Sequence, residues 1–229
     1  MTSLQKWGKS VRTTIPVMAG YLVLGAGFGI LLRTRGYGLG WALAMSAFIY
    51  AGSMQYVAID LLTGGASLLT TAVTTLLVNA RHLFYGISML ERYRAAGKYA
   101  PYLIFSLTDE TYSLVAARED LTGAECFRIS LLDQLYWVLG TALGSLAGAY
   151  LDFKTTGIDF SLTALFLTVF TEQWLETKDH APALIGLGIS IVCRLLFGAD
   201  SFLLPTMGGM LCCLLVLDAR RTKKGGESV

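Results

Sequence analysis

The chain has 229 residues, of which 54% are hydrophobic and 15% charged, with a mean hydropathy of +0.58 and a formal net charge of +2. That is too little charge to cover the surface of a soluble domain of this length, and too little positive charge to hold nucleic acid. The apolar residues gather in blocks of about 20, the length that matches the hydrocarbon core of a bilayer.

Eight such blocks are predicted along the chain: Ile15–Leu32, Leu39–Leu62, Ser67–Leu90, Ala100–Ala117, Cys126–Leu151, Ile158–Glu176, Pro182–Gly198 and Ser201–Leu217. Each should be helical, because lipid offers no hydrogen bonds to an open sheet edge. The fold class is therefore all-α, a polytopic membrane bundle forming a single domain over 1–229. The first block follows Lys6, Lys9 and Arg12, but no small-residue cleavage site comes after it, so it reads as a mature membrane segment. Gly25 and Gly29, and likewise Gly140, Gly144 and Gly148, are four apart. They would line smooth helix faces open to a neighbouring helix, or in the first block expose backbone to a ligand.

Two halves, approximately 15–117 and 126–217, look alike. Tyr21-Leu-Val-Leu-Gly25 matches Tyr136-Trp-Val-Leu-Gly140, Ser53-Met-Gln55-Tyr56 matches Thr171-Glu-Gln173-Trp174, and Ala-Arg81-His-Leu-Phe84 matches Cys-Arg194-Leu-Leu-Phe197. Internal repeats of this kind are common in secondary transporters. Charge counting leaves two topologies. With eight full crossings, the Arg92, Arg94, Lys98 cluster lies opposite the basic N-terminus. If Ser67–Leu90 and Pro182–Gly198 dip in and return, the basic clusters share the cytoplasmic side, Arg33, Arg35, Arg118 and Lys178 stay outside, and the halves are inverted.

Polar residues inside the blocks are the candidates for function, since burying them in lipid is costly. Asn79, Arg81 and His82 lie deep in the third block, and a helix break there would free backbone groups to line a cavity. Thr108, Asp109 and Glu110 sit mid-block in the fourth. Such a carboxyl can carry a coupled proton or face a substrate ammonium. The competing readings are a structural ion pair or helix-end anchor for Asn79, Arg81 and His82, and an interfacial loop for the two acids. Gly52, Ser53 and Gln55 lie together in the second block; an amide can bind either end of a zwitterion, and it can equally serve as polar glue between helices. Gln173, Arg194 and Asp133 are secondary candidates. His180 precedes Pro182 in a polar loop and reads as solvated.

The four cysteines, Cys126, Cys193, Cys212 and Cys213, form no CxxC pair and read as packing residues. There is no HExxH, GxSxG or Walker-type loop, so neither an enzyme, a metal site nor a cofactor is expected. A carrier or a channel-like pathway for a small solute remains.

Three stretches together resemble the AzlC family of branched-chain amino acid permeases, the large subunit of two-component AzlCD-type exporters. They are Ser46-Ala-Phe-Ile-Tyr-Ala-Gly52-Ser53-Met-Gln55, Val78-Asn79-Ala-Arg81-His82 with Tyr85 behind, and Leu107-Thr108-Asp109-Glu110. The resemblance runs from about Ile15 to Leu217. It implies proton-driven export of valine, leucine and isoleucine across the cytoplasmic membrane, and a small AzlD-like membrane partner. A mechanism consistent with the residues and the resemblance together has Asp109 or Glu110 face the ammonium or carry the proton, while Arg81, Asn79 and backbone N–H groups at a broken helix receive the carboxylate.

Overall fold

A computed structural model describes residues 2–116, 118, 120–150, 163, 167, 170, 171, 174, 175, 178–202, 205, 206, 208–210 and 212–217. These fall into two compact units, Met1–Leu165 and Phe166–Val229. Among the described residues the regular structure is helical throughout, and the candidate site lies in the first unit.

Helix α1, Ser3–Thr34, starts on a capping box between Thr2 and Gln5. Helix α8, Gly123–Tyr150, lies along it. Lys9 meets Glu125 at 3.8 Å, Thr14 bonds Tyr136 at 3.1 Å, and a Cβ on Gly140 would lie 2.8 Å from the Leu22 carbonyl. Gly148 faces Ile30 and Arg33. The contacts advance together, so the two helices are parallel, and the glycines let their backbones touch. This settles the choice left open for Gly25 and Gly29: Gly25 faces Trp137 and Thr141, and Gly29 faces Thr141 and Ser145. The matching stretches at Tyr21–Gly25 and Tyr136–Gly140 thus lie side by side in the same direction, so they are not inverted, contrary to the re-entrant expectation.

The next three apolar blocks are each divided. Leu39–Leu62 becomes α2, Leu39–Phe48, and α3, Gly52–Thr63. Between them Tyr50 has φ 44°, in the left-handed region that a bulky residue enters only at a sharp bend. The two helices form a hairpin. Gln134 donates to the Ala47 carbonyl near the bend, Gln55 reaches back to Ser46 at 3.3 Å, and Tyr56 bonds the Leu24 carbonyl at 2.7 Å farther along α1.

Ser67–Leu90 becomes α4, Leu68–Val78, capped by Ser67, and α5, Arg81–Ala95. They join through a tight turn at Asn79–Ala80, with His82 N–H bonded to Asn79 at 2.9 Å. This block does not dip and return. Arg81 stands beside Ser53 near the α2–α3 bend, whereas Arg92 reaches the Val115 and Arg118 carbonyls and Ala96 packs on Gly123 at the start of α8. After a turn at Gly97–Tyr99, Ala100–Ala117 becomes α6, Ala100–Phe105, and α7, Asp109–Ala116. These form the second hairpin. Tyr99 stacks near Phe127, Tyr102 bonds Gln134 farther up α8, and Phe105 meets Tyr50 at 6.5 Å; Val115 is back beside Arg92. The two hairpins enter from opposite ends and their tips meet.

The end that holds the N-terminus also gathers Lys9, Arg92, Arg118 and Arg128. Arg118 bonds Thr13 at 2.9 Å and so lies with the basic cluster, not opposite it as the re-entrant arrangement required. Among the described residues two helices are long and apolar enough to cross a membrane, Leu4–Thr34 and Ala181–Gly198. Of the other predicted blocks, three are broken, α8 carries Glu125, Arg128 and Asp133, and two fall largely or partly outside the described residues. On the outer face of α8, Leu135, Leu139 and Leu143 are each about half exposed, an apolar stripe at helical spacing.

The second unit contains α9, Ala181–Ser201. It runs unbroken to Gly198, where φ is 74°, so the predicted dip of Pro182–Gly198 is absent there. Most of Ile158–Glu176 and part of Ser201–Leu217 lie outside the described residues.

Candidate functional site

The three breaks converge. Thr108 accepts from Thr111 N–H at 3.3 Å and so caps α7, which puts Asp109 and Glu110 in the first turn, where the helix dipole favours negative charge. Arg81 opens α5 with no side-chain cap. Its guanidinium meets Asp109 Oδ2 at 2.5 Å through Nη1 and donates to Ser53 Oγ at 2.8 Å through Nη2. Ser53 stands in the first turn of α3. One arginine thus ties together the starts of α3, α5 and α7. The pair is neither sealed nor solvated: the side chains are 33% and 28% exposed.

Asn79 Oδ1, Arg81 Nε and Asp109 Oδ1 are buried with no hydrogen-bond partner. Such atoms are uncommon in native structures unless water or a ligand occupies the space beside them. Asn79 and His82, on either side of Arg81, also line a cavity of about 700 Å³. Its remaining walls are mostly apolar, with Ile49, Leu76, Leu83 and Ile87 among them, and Tyr50 forms part of the rim at the hairpin tip. His82 Nδ1 lies 3.2 Å from the Asn79 carbonyl.

The structure therefore brings Ser53, Asn79, Arg81, His82 and Asp109 into one cluster. Glu110 lies next to it but turns away, accepting from the Tyr21 hydroxyl at 2.7 Å. Gln55 is elsewhere. It is fully buried, with its carbonyl taken by Trp137 Nε1 at 2.8 Å and its amide by Ser46, which in turn bonds Thr141 at 3.0 Å. Gly52 packs on the Trp137 ring, 3.0 Å from where a Cβ would stand. Asp133 is fully buried on α8, bonded to Thr111 at 2.9 Å. Arg194 is in the second unit, over the Phe202 ring at 5.4 Å. Gln173 lies outside the described residues, and His180 stacks on Trp174 at 4.0 Å. Among the described residues no group of three acidic, histidine or cysteine side chains is placed to hold a metal.

Sequence reading passed over Tyr21, Tyr50 and Thr111. The signal for Tyr21 was present, a lone polar ring group beside Gly25 in an apolar helix, but aromatic residues at helical spacing are common packing groups. Tyr50 and Thr111 become significant only once the breaks bend the chain.

Comparison with known proteins places this arrangement among relatives. A family model described as "AzlC protein" matches residues 16–151. A Bacillus subtilis (strain 168) protein named "Branched-chain amino acid transport protein AzlC" is 46% identical over 209 residues, covering 89% of this chain and 82% of its own length. An uncharacterised membrane protein of Helicobacter pylori (strain ATCC 700392 / 26695) is 43% identical over 207 residues, with coverages of 89% and 91%. The inner membrane protein YgaZ of Escherichia coli (strain K12) is 26% identical over 222 residues, with coverages of 90% and 87%. No solved structure matches.

Proposed function

This chain belongs to the AzlC family, and on that footing we propose that it is a secondary transporter that exports branched-chain amino acids such as valine, leucine and isoleucine across the cytoplasmic membrane, driven by protons. The observation that carries the reading is the Arg81–Asp109 pair at the meeting point of three broken helices, with unpartnered polar atoms beside an apolar cavity. A zwitterion has the two charges this pair lacks when opened. Its carboxylate matches the guanidinium fork of Arg81, with Asn79 alongside; its ammonium matches Asp109. Its aliphatic side chain suits the cavity walls, and a branched chain fills such walls better than a polar one.

Broken helices support transport because their free ends aim dipoles and backbone groups at mid-membrane depth. Two hairpins meeting tip to tip leave a short barrier between the two ends of the unit. Rocking one hairpin against α4 and α5 would open the cluster to one side at a time. The basic end, with Lys9, Arg92, Arg118 and Arg128, faces the cytoplasm on the positive-inside rule. A small membrane subunit resembling AzlD is part of this proposal, and its absence would leave activity incomplete.

The test is efflux of labelled valine from proteoliposomes holding the purified chain, alone and with the small subunit, with and without an imposed pH gradient. Gradient-dependent valine efflux is the expected result. Valine flux indifferent to the gradient would remove proton coupling, and absence of flux in every condition would remove the transport reading.

A further inference from the structure

Four short contacts link Glu110 to Asp133 through three hydroxyls. Tyr21 Oη lies 2.7 Å from Glu110 Oε2 and 2.7 Å from Thr108 Oγ1; Thr108 Oγ1 lies 3.1 Å from Thr111 Oγ1; Thr111 Oγ1 lies 2.9 Å from Asp133 Oδ2. Tyr21, Thr108 and Thr111 are buried and Asp133 is fully so. The chain joins three elements, α1, α7 and α8, at the level where the hairpin tips meet.

Each contact needs one hydrogen. The three hydroxyls bring one each, which leaves one contact between two bare oxygens if both acids are ionised. A single further proton completes the chain. Placed on Glu110, it lets every hydroxyl donate toward Asp133, the direction in which Thr108 and Thr111 donate here; placed on Asp133, it turns every hydroxyl toward Glu110. The groups facing Asp133 make a second charge there expensive. They are Glu110, Tyr50 and Tyr102, and among the described residues no cation pairs with it. Asp133 Oδ1 and the hydroxyl of Ser130 one turn away have no partner at all. An ionised carboxylate with one hydrogen bond in so dry a place is costly, whereas a carboxylic acid is tolerated.

From this counting we infer that Glu110 and Asp133 share one proton through the Tyr21–Thr108–Thr111 chain, and that Asp133 is the closed end where the coupled proton is held. The inference rests on the proton-coupled reading above and deepens it. Glu110 is the open end, beside Asp109 and Arg81. Transfer breaks the O–H bond of Asp133 and makes one on Glu110, each hydroxyl passing its proton one place along. The pair keeps one negative charge, which moves from the Glu110 end to the Asp133 end. A substrate ammonium arriving near Asp109 favours charge on Glu110 and so sends the proton to Asp133; its departure releases that hold. Protonation and occupancy are thereby linked without proton and ammonium competing for one carboxylate.

The test uses the full chain in proteoliposomes and in detergent. Asp133→Asn and Thr111→Val should cut pH-gradient-driven valine flux by about tenfold or more while valine–valine exchange stays within about twofold, and Thr111→Ser should restore coupling. Infrared spectra supply a readout independent of transport. Wild type should show the carbonyl band of a buried carboxylic acid that Asp133→Asn removes and Tyr21→Phe shifts. Wild-type coupling in both Asp133→Asn and Thr111→Val, or an acid band untouched by Asp133→Asn, would overturn the shared proton. If wild type moves no valine at all, the transport reading fails, and the infrared comparison still decides whether the two acids share a proton.

Discussion

At the scale of single residues, Arg81 concentrates the chemistry because it has the donors to serve two partners at once, Asp109 and Ser53. Asp109→Asn keeps the shape but replaces an ion pair with a neutral contact. A charge-assisted hydrogen bond contributes about 1.5–3 kcal/mol, so the half-saturating valine concentration should rise by roughly tenfold to a hundredfold. Binding measured by competition against labelled valine checks this, and unchanged affinity would return Asp109 to a structural role. Gln55 leads to the opposite expectation. Both ends of its amide are satisfied inside the protein, by Trp137 and Ser46. Gln55→Leu should leave the Trp137 N–H without an acceptor and Ser46 Oγ without its donor, and cost about 1–3 kcal/mol, seen as a lower melting temperature in detergent with valine affinity little changed. A change in affinity at constant melting temperature would instead put Gln55 in the binding site.

At the scale of elements, two devices organise the first unit. The first is the α1–α8 contact, where backbones rather than side chains meet. Gly144 stands directly against the Ala26 carbonyl, a backbone group that cannot swing aside. Lipid gives no hydrophobic drive for helix association, so close packing of small residues has to supply it. Gly144→Val should therefore separate the helices and cost about 1–3 kcal/mol or more, measured as a fall in melting temperature and in folded yield. Gly8, with open space around it, is the control and should tolerate the same change. The second device is the pair of hairpins. A helix break normally leaves backbone groups unsatisfied, and of the three breaks only the one before α7 has a side-chain cap, from Thr108; α3 starts without one. The start of α5 has no such cap. There the His82 and Leu83 N–H groups turn back to the Asn79 and Ala80 carbonyls, so it is the Arg81 guanidinium, not the backbone, that is left to meet a bound carboxylate.

For the whole molecule, the hairpins decide which loops share a side. Because two of the first four blocks return to the end from which they entered, α1 and α8 both start at the basic end. In a chain with Cys126, Cys193, Cys212 and Cys213 replaced, single cysteines at Gly8 and Ala95 should react with an impermeant reagent from one side of the membrane, and cysteines at Thr34 and Ala66 from the other. Labelling of Ala95→Cys and Thr34→Cys from the same side would contradict the hairpin arrangement. The positive-inside rule assigns Gly8 and Ala95 to the cytoplasm, so in intact cells only the second pair should be labelled from outside.

The amino-acid sequence by itself determined the solvent of this protein and the residues worth attention. Long apolar blocks with few charges belong in lipid, and a polar residue inside one has to have a reason, which singled out Ser53, Arg81 and Asp109 before any contact was known. It raised a helix break only in the third block, as a condition, and did not locate the bends at Tyr50 and before Thr108. A run such as Leu39–Leu62 looks the same whether it crosses the membrane or bends at Tyr50, because hydropathy measures composition and not direction. Only the tertiary structure decided that the run returns and that Ser67–Leu90 goes on. Register was beyond the sequence for the same reason: Gln55 and Ser53 are two residues apart, yet one faces Trp137 and the other Arg81. On a helix, residues two apart point in different directions, and which direction meets a partner depends on how neighbouring helices pack. The Tyr21–Thr108–Thr111–Asp133 chain is the fullest case. Its members are scattered across more than a hundred positions, and each alone is an ordinary hydroxyl or acid until packing sets them within hydrogen-bond distance.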